Sequence, residues 1–582
     1  MDKHAVAQLL EEIAILLELK GENPFKARAY HNAARALENL EEDLEMVIQE
    51  ERLQEIAGIG AHIAEKITTL VSTGHLPYYE ELKQSIPEGL FELLKIPGLG
   101  GKKIKRLYDE LGIKNLEDLI IACRKGGVAR LPHFGSKSQA NILDSIEKFQ
   151  TRSQRFLWWE AMRIAQPILN QLSKVEGVQK AEIAGSLRRK LETIGDLDFV
   201  VASSHPNSVM QWFTTQPWVE QVLAKGSTKA SVRLRQGIQA DLRVVPLEQF
   251  GFALLYFTGS KDHSIKLRQR ANELGYSLSE YGLEPLNASH PSPFRKHSKQ
   301  PITEADIFKV LGLSEIPPEL REEMGEIEAA EKGELPTLVE EGDIRGAFHC
   351  HTTESDGHHT LEQMIAAAQA LKWEYIGIAD HSKSSYQAHG LQADQLLEQV
   401  QHIRQINQSG KYSIHVFAGL ECDILTNGHL DFPDEVLKEL DYVVISVHRS
   451  FKLDESTMTA RLIKAIENPH TTMVGHVSGR LLLRRDPYAV NLPKVIDACI
   501  ANHKVMELNA QPTRLDMDWR YWHSAAEKGL KCCINPDAHS TYDLHYVRAG
   551  VNMARKGWLE KKDVINTLPL KKMQAYLKKM KP

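Results

Sequence analysis

Cysteine is scarce in this chain. Six occur in 582 residues, at Cys123, Cys350, Cys422, Cys499, Cys532 and Cys533. None has C-x-x-C spacing and their density excludes a disulfide framework, which predicts a reduced, cytoplasmic compartment. Long apolar runs are also missing. No stretch approaches the ~18 residues of a membrane span, and the opening "MDKHAVAQLLEEIAILLELKG" is broken by acidic residues and lacks a cleavage-type ending. The expectation is a chain neither secreted nor membrane-spanning. Net charge is small, -6, so the total points to no partner.

The distribution of charge says more. Lys95 to Arg106 ("KIPGLGGKKIKR") holds five basic and no acidic residues, while Glu315 to Asp343 holds eleven acidic and two basic. The first suits phosphates and the second repels them. Sixteen of the twenty-five histidines follow Asp343. The length exceeds one hydrophobic core, and a prior of roughly 150 residues per domain predicts a multidomain chain.

Residues 1–155 read as short amphipathic helices parted by glycine turns. One pattern recurs in "LQEIAGIGAHIAEKI" (53–67), "LLKIPGLGGKKIKRLY" (93–108) and "VARLPHFGSKSQANIL" (128–143). It resembles the helix-hairpin-helix motif, in which backbone N–H groups at a helix N-terminus bind a DNA phosphate without reading sequence. Gly58, Gly60, Gly98 and Gly100, with Lys102 and Lys103, are the expected contacts. The third copy keeps only Gly135 of the glycine pair, and a plain αα-turn fits it as well.

From about 156 to 250 the pattern turns to strand and helix. In "GDLDFV", Asp196 and Asp198 are two apart on a strand and leave the same face. Asp241 in "QADLRVV" is the natural third member. Three carboxylates on adjacent strands repel one another and can hold two Mg²⁺ ions about 3.5–4 Å apart, which stabilise both oxygens of a phosphoryl transfer.

The stretch "GSLRRKLETIGDLDFV" is similar to the palm of DNA polymerase beta and its family X relatives, and the likeness continues into "YFTGSKDH" (256–263). The resemblance implies that Asp196, Asp198 and Asp241 are metal ligands, with Asp241 beside the primer 3′-hydroxyl. Gly185, Ser186 and Arg189 would bind the triphosphate, and Tyr256, Phe257 and Gly259 would line the sugar of an incoming dNTP. Lys190 departs from the family's usual Gly and Ser264 from its usual Asn. The N-terminal module resembles the family's lyase domain. Lys66 matches its nucleophile, and Lys26 and Tyr30 match its 5′-phosphate contacts. A phosphate contact or plain surface charge is the other reading of Lys66.

After a Pro- and Glu-rich stretch read as a solvated linker, the strands "YIGIAD", "SIHVFAGLECDIL", "DYVVISVH", "TTMVGHVS", "KVMELNA" and "KCCINPDAHS" alternate with helical segments. This predicts parallel βαβ units closing into a barrel, with functional groups at the strands' C-terminal ends. His349, His351, Asp356, His381, Glu421, His448, His476, Asp537 and His539 lie at or just past those ends. The set exceeds what one ion needs.

It resembles the PHP (polymerase and histidinol phosphatase) domain, a distorted (β/α)₇ barrel with a trinuclear site. Its place after a family X polymerase is the arrangement of bacterial and archaeal PolX. The resemblance implies 3′-to-5′ exonuclease activity and, in some relatives, AP endonuclease activity. Mixed imidazole and carboxylate ligation favours Mn²⁺, Zn²⁺ or Fe²⁺ over Mg²⁺, and the resemblance implies Mn²⁺ or Zn²⁺, Mn²⁺ first. Ala347 replaces a frequent Asp. His358 and His359 read as solvated loop, and "NAQPTRLD" with Arg514 reads equally as substrate contact or structural loop.

The expected fold is multidomain α and α/β. Residues 1–85 form a helical lyase-like DNA-binding domain and 86–155 a fingers-type helix-hairpin-helix region. The nucleotidyltransferase palm spans 156–250, the thumb and nucleotide-selection subdomain 251–312, the acidic linker 313–342 and the PHP domain 343–582. The expected function is short-gap filling in DNA repair on gapped or nicked DNA, as a monomer with no membrane partner. A histidinol-phosphatase-type phosphoesterase and a non-catalytic DNA-binding scaffold are the alternatives.

Overall fold

The computed structural model describes residues 3–38, 40, 44–94, 96, 99–132, 134–153, 155–287, 291–294 and 301–582. The chain separates into two compact units, Met1–Ser153 and Gln154–Pro582. No helix among the described residues is long and apolar enough to cross a membrane. All six cysteines are buried and unpaired.

The first unit is all helical. Helices Lys3–Lys20 and Pro24–Glu38 lie together, with Leu10, Ile13 and Leu17 meeting the small side chains of Ala33 and Ala34 in one apolar core. Helix Ala61–Thr73 buries Ile63, Ala64, Ile67 and Leu70 along one face, starts at Gly60 and ends at Gly74 (φ 69°). Helix Gly101–Leu111 repeats this, starting at Gly100, burying Ile104 and Leu107, and ending at Gly112 (φ 68°).

The second unit begins with a five-stranded sheet. Its strands are β1 (Val178–Ile183), β2 (Asp196–Ser203), β3 (Val219–Lys225), β4 (Lys229–Leu234) and β5 (Gln239–Val245). Their order is β1-β2-β5-β4-β3, with β2 parallel to β5 and the other pairs antiparallel. Beyond Asp198, β2 is buried on both faces. Phe199 and Val201 pack in one core and Val200 and Ala202 in another, which accounts for its unbroken apolar run. Helices Phe250–Thr258, Lys261–Glu273 and Glu304–Val310 follow, with a hairpin of Tyr276–Leu278 and Leu283–Pro285.

The solvated-linker reading of the acidic stretch is corrected here. It contains a 3₁₀ turn at Pro318–Leu320 and a helix at Glu326–Lys332, and Glu319, Arg321 and Glu326 are buried. Each of these three buried charges has a partner outside the stretch. Glu304 accepts from Arg188 Nη2 at 2.5 Å and Arg321 Nη1 at 2.6 Å. Glu319 meets Lys190 Nζ and Arg555 Nε, both at 2.9 Å, and Glu326 meets His263 Nδ1 at 2.7 Å. The stretch is a docked strap.

Seven parallel strand segments follow: β6 (Gly346–Ala347), β7 (Tyr375–Ile378), β8 (His415–Ala418, resuming as Glu421–Asp423), β9 (Val444–Ser446), β10 (Met473–Val474), β11 (Val505–Asn509) and β12 (Lys531–Asn535). The two halves of β8 are parted at Gly419, where a Cβ would strike the Tyr442 ring. Bridges His381–Glu421 and Cys350–Ala538 join the remaining edges, the second with His351 N donating to Ala538 O at 2.8 Å. The barrel interior is filled by Phe348, Tyr375, Phe417, Tyr442 and Met473, and Met573 and Leu577 of helix Leu570–Met580 join that cluster. Ala347 is fully buried in the surrounding core.

Candidate active sites

The first site lies on β2 and β5. Parallel register pairs Asp198 with Asp241 and Asp196 with Gln239, so the three carboxylates emerge at one end of the two central strands. Burial first, then the charges of Asp196 and Asp241, push the Asp198 carboxyl up to about 7. Burial and Asp241 also raise Asp196. Lys229 Nζ lies 3.7 Å from Asp241 and the Gln239 amide donates to it at 2.9 Å, while Arg189 and Lys229 offset only part of the charge at Asp198 and Arg155 part of that at Asp196. Such a cluster suits divalent cations.

Gly185 opens the four-residue helix Gly185–Arg188 at φ 62°. A Cβ there would sit 2.9 Å from Asp198 Cγ and closer still to an oxygen, so only glycine fits. Ser186 follows on the same turn. Arg189 donates from Nη1 to Thr258 O at 2.5 Å and from Nε to Glu322 at 3.0 Å. A Cβ on Gly259 would lie 3.2 Å from Arg189 Nη1, which brings Gly259 into the same place. Tyr256 is exposed and meets Phe257 edge-on at 5.1 Å, while Arg243 lies over the Phe257 ring. Lys190 has φ 59°, the conformation that a glycine at this position would supply freely, and its side chain reaches Glu319.

The second site sits where the sequence pattern predicts, past the C-terminal ends of the barrel strands. Three groups of side chains bring their ligand atoms within 4.8 Å of one another: His351, Asp356, His381 and His539; His349, His351 and Glu421; and His381, Glu421 and His448. His476 Nε2 lies 2.8 Å from Glu421. Asp537 Oδ1 lies 3.4 Å from His351 and 3.6 Å from His349. All nine residues therefore converge, with His351, His381 and Glu421 each shared by two of the groups.

Several of these atoms are buried close to one another without a well-formed hydrogen bond, namely His349 Nε2, both nitrogens of His351, His381 Nδ1 and Glu421 Oε2. A protein interior does not leave this many polar atoms unsatisfied, and imidazole and carboxylate donors in three overlapping sets fit three metal ions. Burial opposes charge on His349 and His381, yet the adjoining carboxylates raise both well above the usual histidine value. His351, beside His539 and His381, is held down at about 4 by burial and their charge.

Two groups that the sequence reading missed orient these ligands. Glu507 on β11 is fully buried, accepts from His349 Nδ1 at 2.6 Å and from the His476 backbone at 2.7 Å, and is braced by Asn509 and Asn535. Asp423 holds His448 Nδ1 at 2.5 Å. The signal for Glu507 was present as a lone carboxylate inside the apolar run "KVMELNA". The His358–His359 loop is tied to the site, because His358 N donates to the His539 carbonyl at 2.7 Å. Arg514 Nε lies 3.2 Å from Asp537 Oδ2, at the edge of the cluster.

Models of known families match four segments: a helix-hairpin-helix domain at 1–76, a SAM-like helix-hairpin-helix tandem at 90–148, the DNA polymerase beta thumb at 253–322 and the PHP domain at 347–511. The chain is 39% identical over 581 residues, covering 100% of both chains, to DNA polymerase/3'-5' exonuclease PolX of Bacillus subtilis (strain 168). The chain belongs to the PolX family. It is also 26% identical to DNA polymerase lambda of Rattus norvegicus over 53% of this chain and 54% of that one. A probable phosphatase of Thermoanaerobacter sp. (strain X514) matches at 26% over 29% of this chain and 70% of its own.

In this PolX chain the helical unit gathers some of its predicted contacts around Tyr78. Lys66 Nζ lies 4.9 Å and Lys26 Nζ 5.4 Å from the Tyr78 ring centre, which stacks on Tyr30 at 6.3 Å. Tyr30 itself is 4% exposed. Gly58 (φ 103°) and Gly60 precede helix Ala61–Thr73, and Gly100 precedes the helix that carries exposed Lys102 and Lys103. Gly98 lies outside the described residues.

Proposed function

We infer that this PolX chain is a DNA-directed DNA polymerase that fills short gaps and carries a metal-dependent 3′-to-5′ exonuclease in its barrel. The observation that carries this reading is the register of Asp198 with Asp241 at a strand end beside Arg189, in a chain alignable end to end with a relative named for both activities. Asp196, Asp198 and Asp241 hold two Mg²⁺, and Asp241 sits at the primer 3′-hydroxyl. Divalent ions there offset the charge that develops in phosphoryl transfer. Gly185, Ser186 and Arg189 hold the triphosphate of the incoming dNTP, and Tyr256, Phe257 and Gly259 border its sugar.

In the barrel, the nine converging ligands hold Mn²⁺ or Zn²⁺, which supply an activated water and a clamp on a DNA phosphate. Glu507 and Asp423 fix the imidazoles, and Arg514, held beside Asp537, is the substrate contact at the edge of the cluster. Lys26 and Lys66 flank Tyr78 at the 5′-phosphate side of a gap, and Lys66 is the tentative lyase nucleophile. Gly58, Gly60, Gly100, Lys102 and Lys103 meet the DNA backbone. The buried, unpaired cysteines support a cytoplasmic setting, and we take the working form as a monomer.

The test is a gapped duplex with a labelled primer. Asp198→Ala abolishes extension and leaves shortening, while His349→Ala/His351→Ala abolishes shortening and leaves extension. Extension by the first variant, or shortening by the second, refutes the site assignment. A small phosphomonoester run alongside separates the exonuclease reading from the phosphatase one that the Thermoanaerobacter match would favour.

A further inference from the structure

A lysine on the barrel reaches the acidic strap and the Arg189 carbonyl of the palm. Lys556 is the last residue of helix Val547–Lys556 and is 1% exposed. Its ammonium has three donors, and all three are used. They reach Glu322 Oε1 at 2.6 Å, the Arg189 carbonyl at 3.1 Å and the Glu319 carbonyl at 3.2 Å. The Trp519 ring, 4.4 Å away, covers it. Glu322 Oε1 is also the atom that accepts from Arg189 Nε at 3.0 Å. One carboxylate oxygen of the docked strap therefore joins two cations, one from the palm and one from the barrel.

The two cations differ in what they can do. Lys556 is enclosed and saturated. Arg189 ends a short helix beside Gly259, and in the reading given above its guanidinium must turn to a triphosphate. Leaving Glu322 would strand a largely buried anion, which is strongly unfavourable unless another cation stays behind. Lys556 is that cation. We propose that Lys556 is a positioning residue for polymerisation, neutralising Glu322 so that Arg189 is free to take the triphosphate. The exonuclease barrel then serves the polymerase site directly, through one side chain. This rests on Arg189 being the triphosphate arm.

The test is single-nucleotide gap filling by the full-length chain at varied dNTP concentration, with exonuclease activity on a labelled single strand and a melting curve as controls. Lys556→Met raises KM for dNTP ~10-fold or more while kcat changes less than ~3-fold, because substrate binding and not the chemical step is affected. Lys556→Arg restores KM to within ~3-fold of the parent, since it keeps the charge. Lys556→Met/Glu322→Gln has the same KM as Glu322→Gln alone, because with no anion to neutralise the lysine has no task. Exonuclease activity is unchanged throughout.

Arg189→Ala separates the two readings. If it leaves KM unmoved, the triphosphate role of Arg189 fails and this inference with it. If it raises KM but Lys556→Met does not, the inference alone is overturned. Should Lys556→Met not fold, the comparison of the double variant with Glu322→Gln decides. A raised KM in the double variant overturns the proposal, and equal values support it.

Discussion

At the scale of single residues, the ligands of the two sites and the groups that hold them differ in how openly the sequence displays them. Asp196 and Asp198 at strand spacing, and His349 and His351 likewise, are visible because a strand's two-residue period fixes which side chains share a face. The groups that hold those residues in place are not visible in this way. Glu507 lies 158 positions from His349, the ring it orients, and nothing in local spacing joins them. Lys190 looks like a loss of glycine, yet the backbone takes the positive φ and the gained side chain finds Glu319. Glu507 gives a prediction at this scale. A carboxylate that fixes the tautomer and angle of a metal-bound histidine typically contributes 10- to 100-fold to metal affinity. Glu507→Gln should therefore raise the Mn²⁺ concentration for half-maximal exonuclease activity by about that factor, with extension unchanged. Metal content after dialysis checks it, and full retention of metal would remove Glu507 from this role.

At the scale of elements, the instructive segment is the acidic strap. Eleven acidic residues against two basic in Glu315 to Asp343 read naturally as a solvated tether, because composition counts charges and cannot count partners. The partners are Arg189, Lys190, His263 and Glu304 from the polymerase side and Arg555 and Lys556 from the barrel. They are dispersed over more than 350 residues of sequence, so no window reveals them. The barrel strands, by contrast, were legible because each carries its own apolar run and all but β11 lead to a predicted ligand. The strap's dependence on pairing has a pH consequence. Despite burial, Lys190 and Arg555 hold Glu319 at about 2, and Arg321 and Arg188 do the same for Glu304. Depressed carboxylates contribute stability that is complete above their unfolded value of ~4.5 and is lost as pH falls through about 2. With both groups nearly buried, each contributes at most on the order of 3 kcal/mol. Glu319→Gln should lower the melting temperature at pH 7, and its difference from the parent should shrink steadily between pH 4.5 and 2. A difference independent of pH would mean that packing, not charge, holds the strap.

At the scale of the whole molecule, a chain of net charge -6 has to bind a polyanion. Bulk attraction is therefore unavailable, and affinity has to come from places where cations and backbone N–H groups are concentrated. The basic run ending at Arg106 is such a place. It opens helix Gly101–Leu111 behind Gly100, and its Lys102 stays 73% exposed although it lies 3.3 Å from Glu18. A phosphate that approaches this helix end meets the N–H groups of its first turn and two lysines, and each lysine neutralising a phosphate releases about 0.9 of a counterion from duplex DNA. Lys102→Ala/Lys103→Ala in the full-length chain should thus flatten the plot of log affinity against log salt by nearly two units on gapped duplex. The loss of affinity should be the same for every sequence tested, because phosphates carry no base information. Gap filling should fall with it at physiological salt and recover at low salt. Exonuclease activity on a short single strand should hold, since the barrel ligands all belong to the second unit. A slope that does not change would place the DNA elsewhere and leave the glycine hairpins as structural turns.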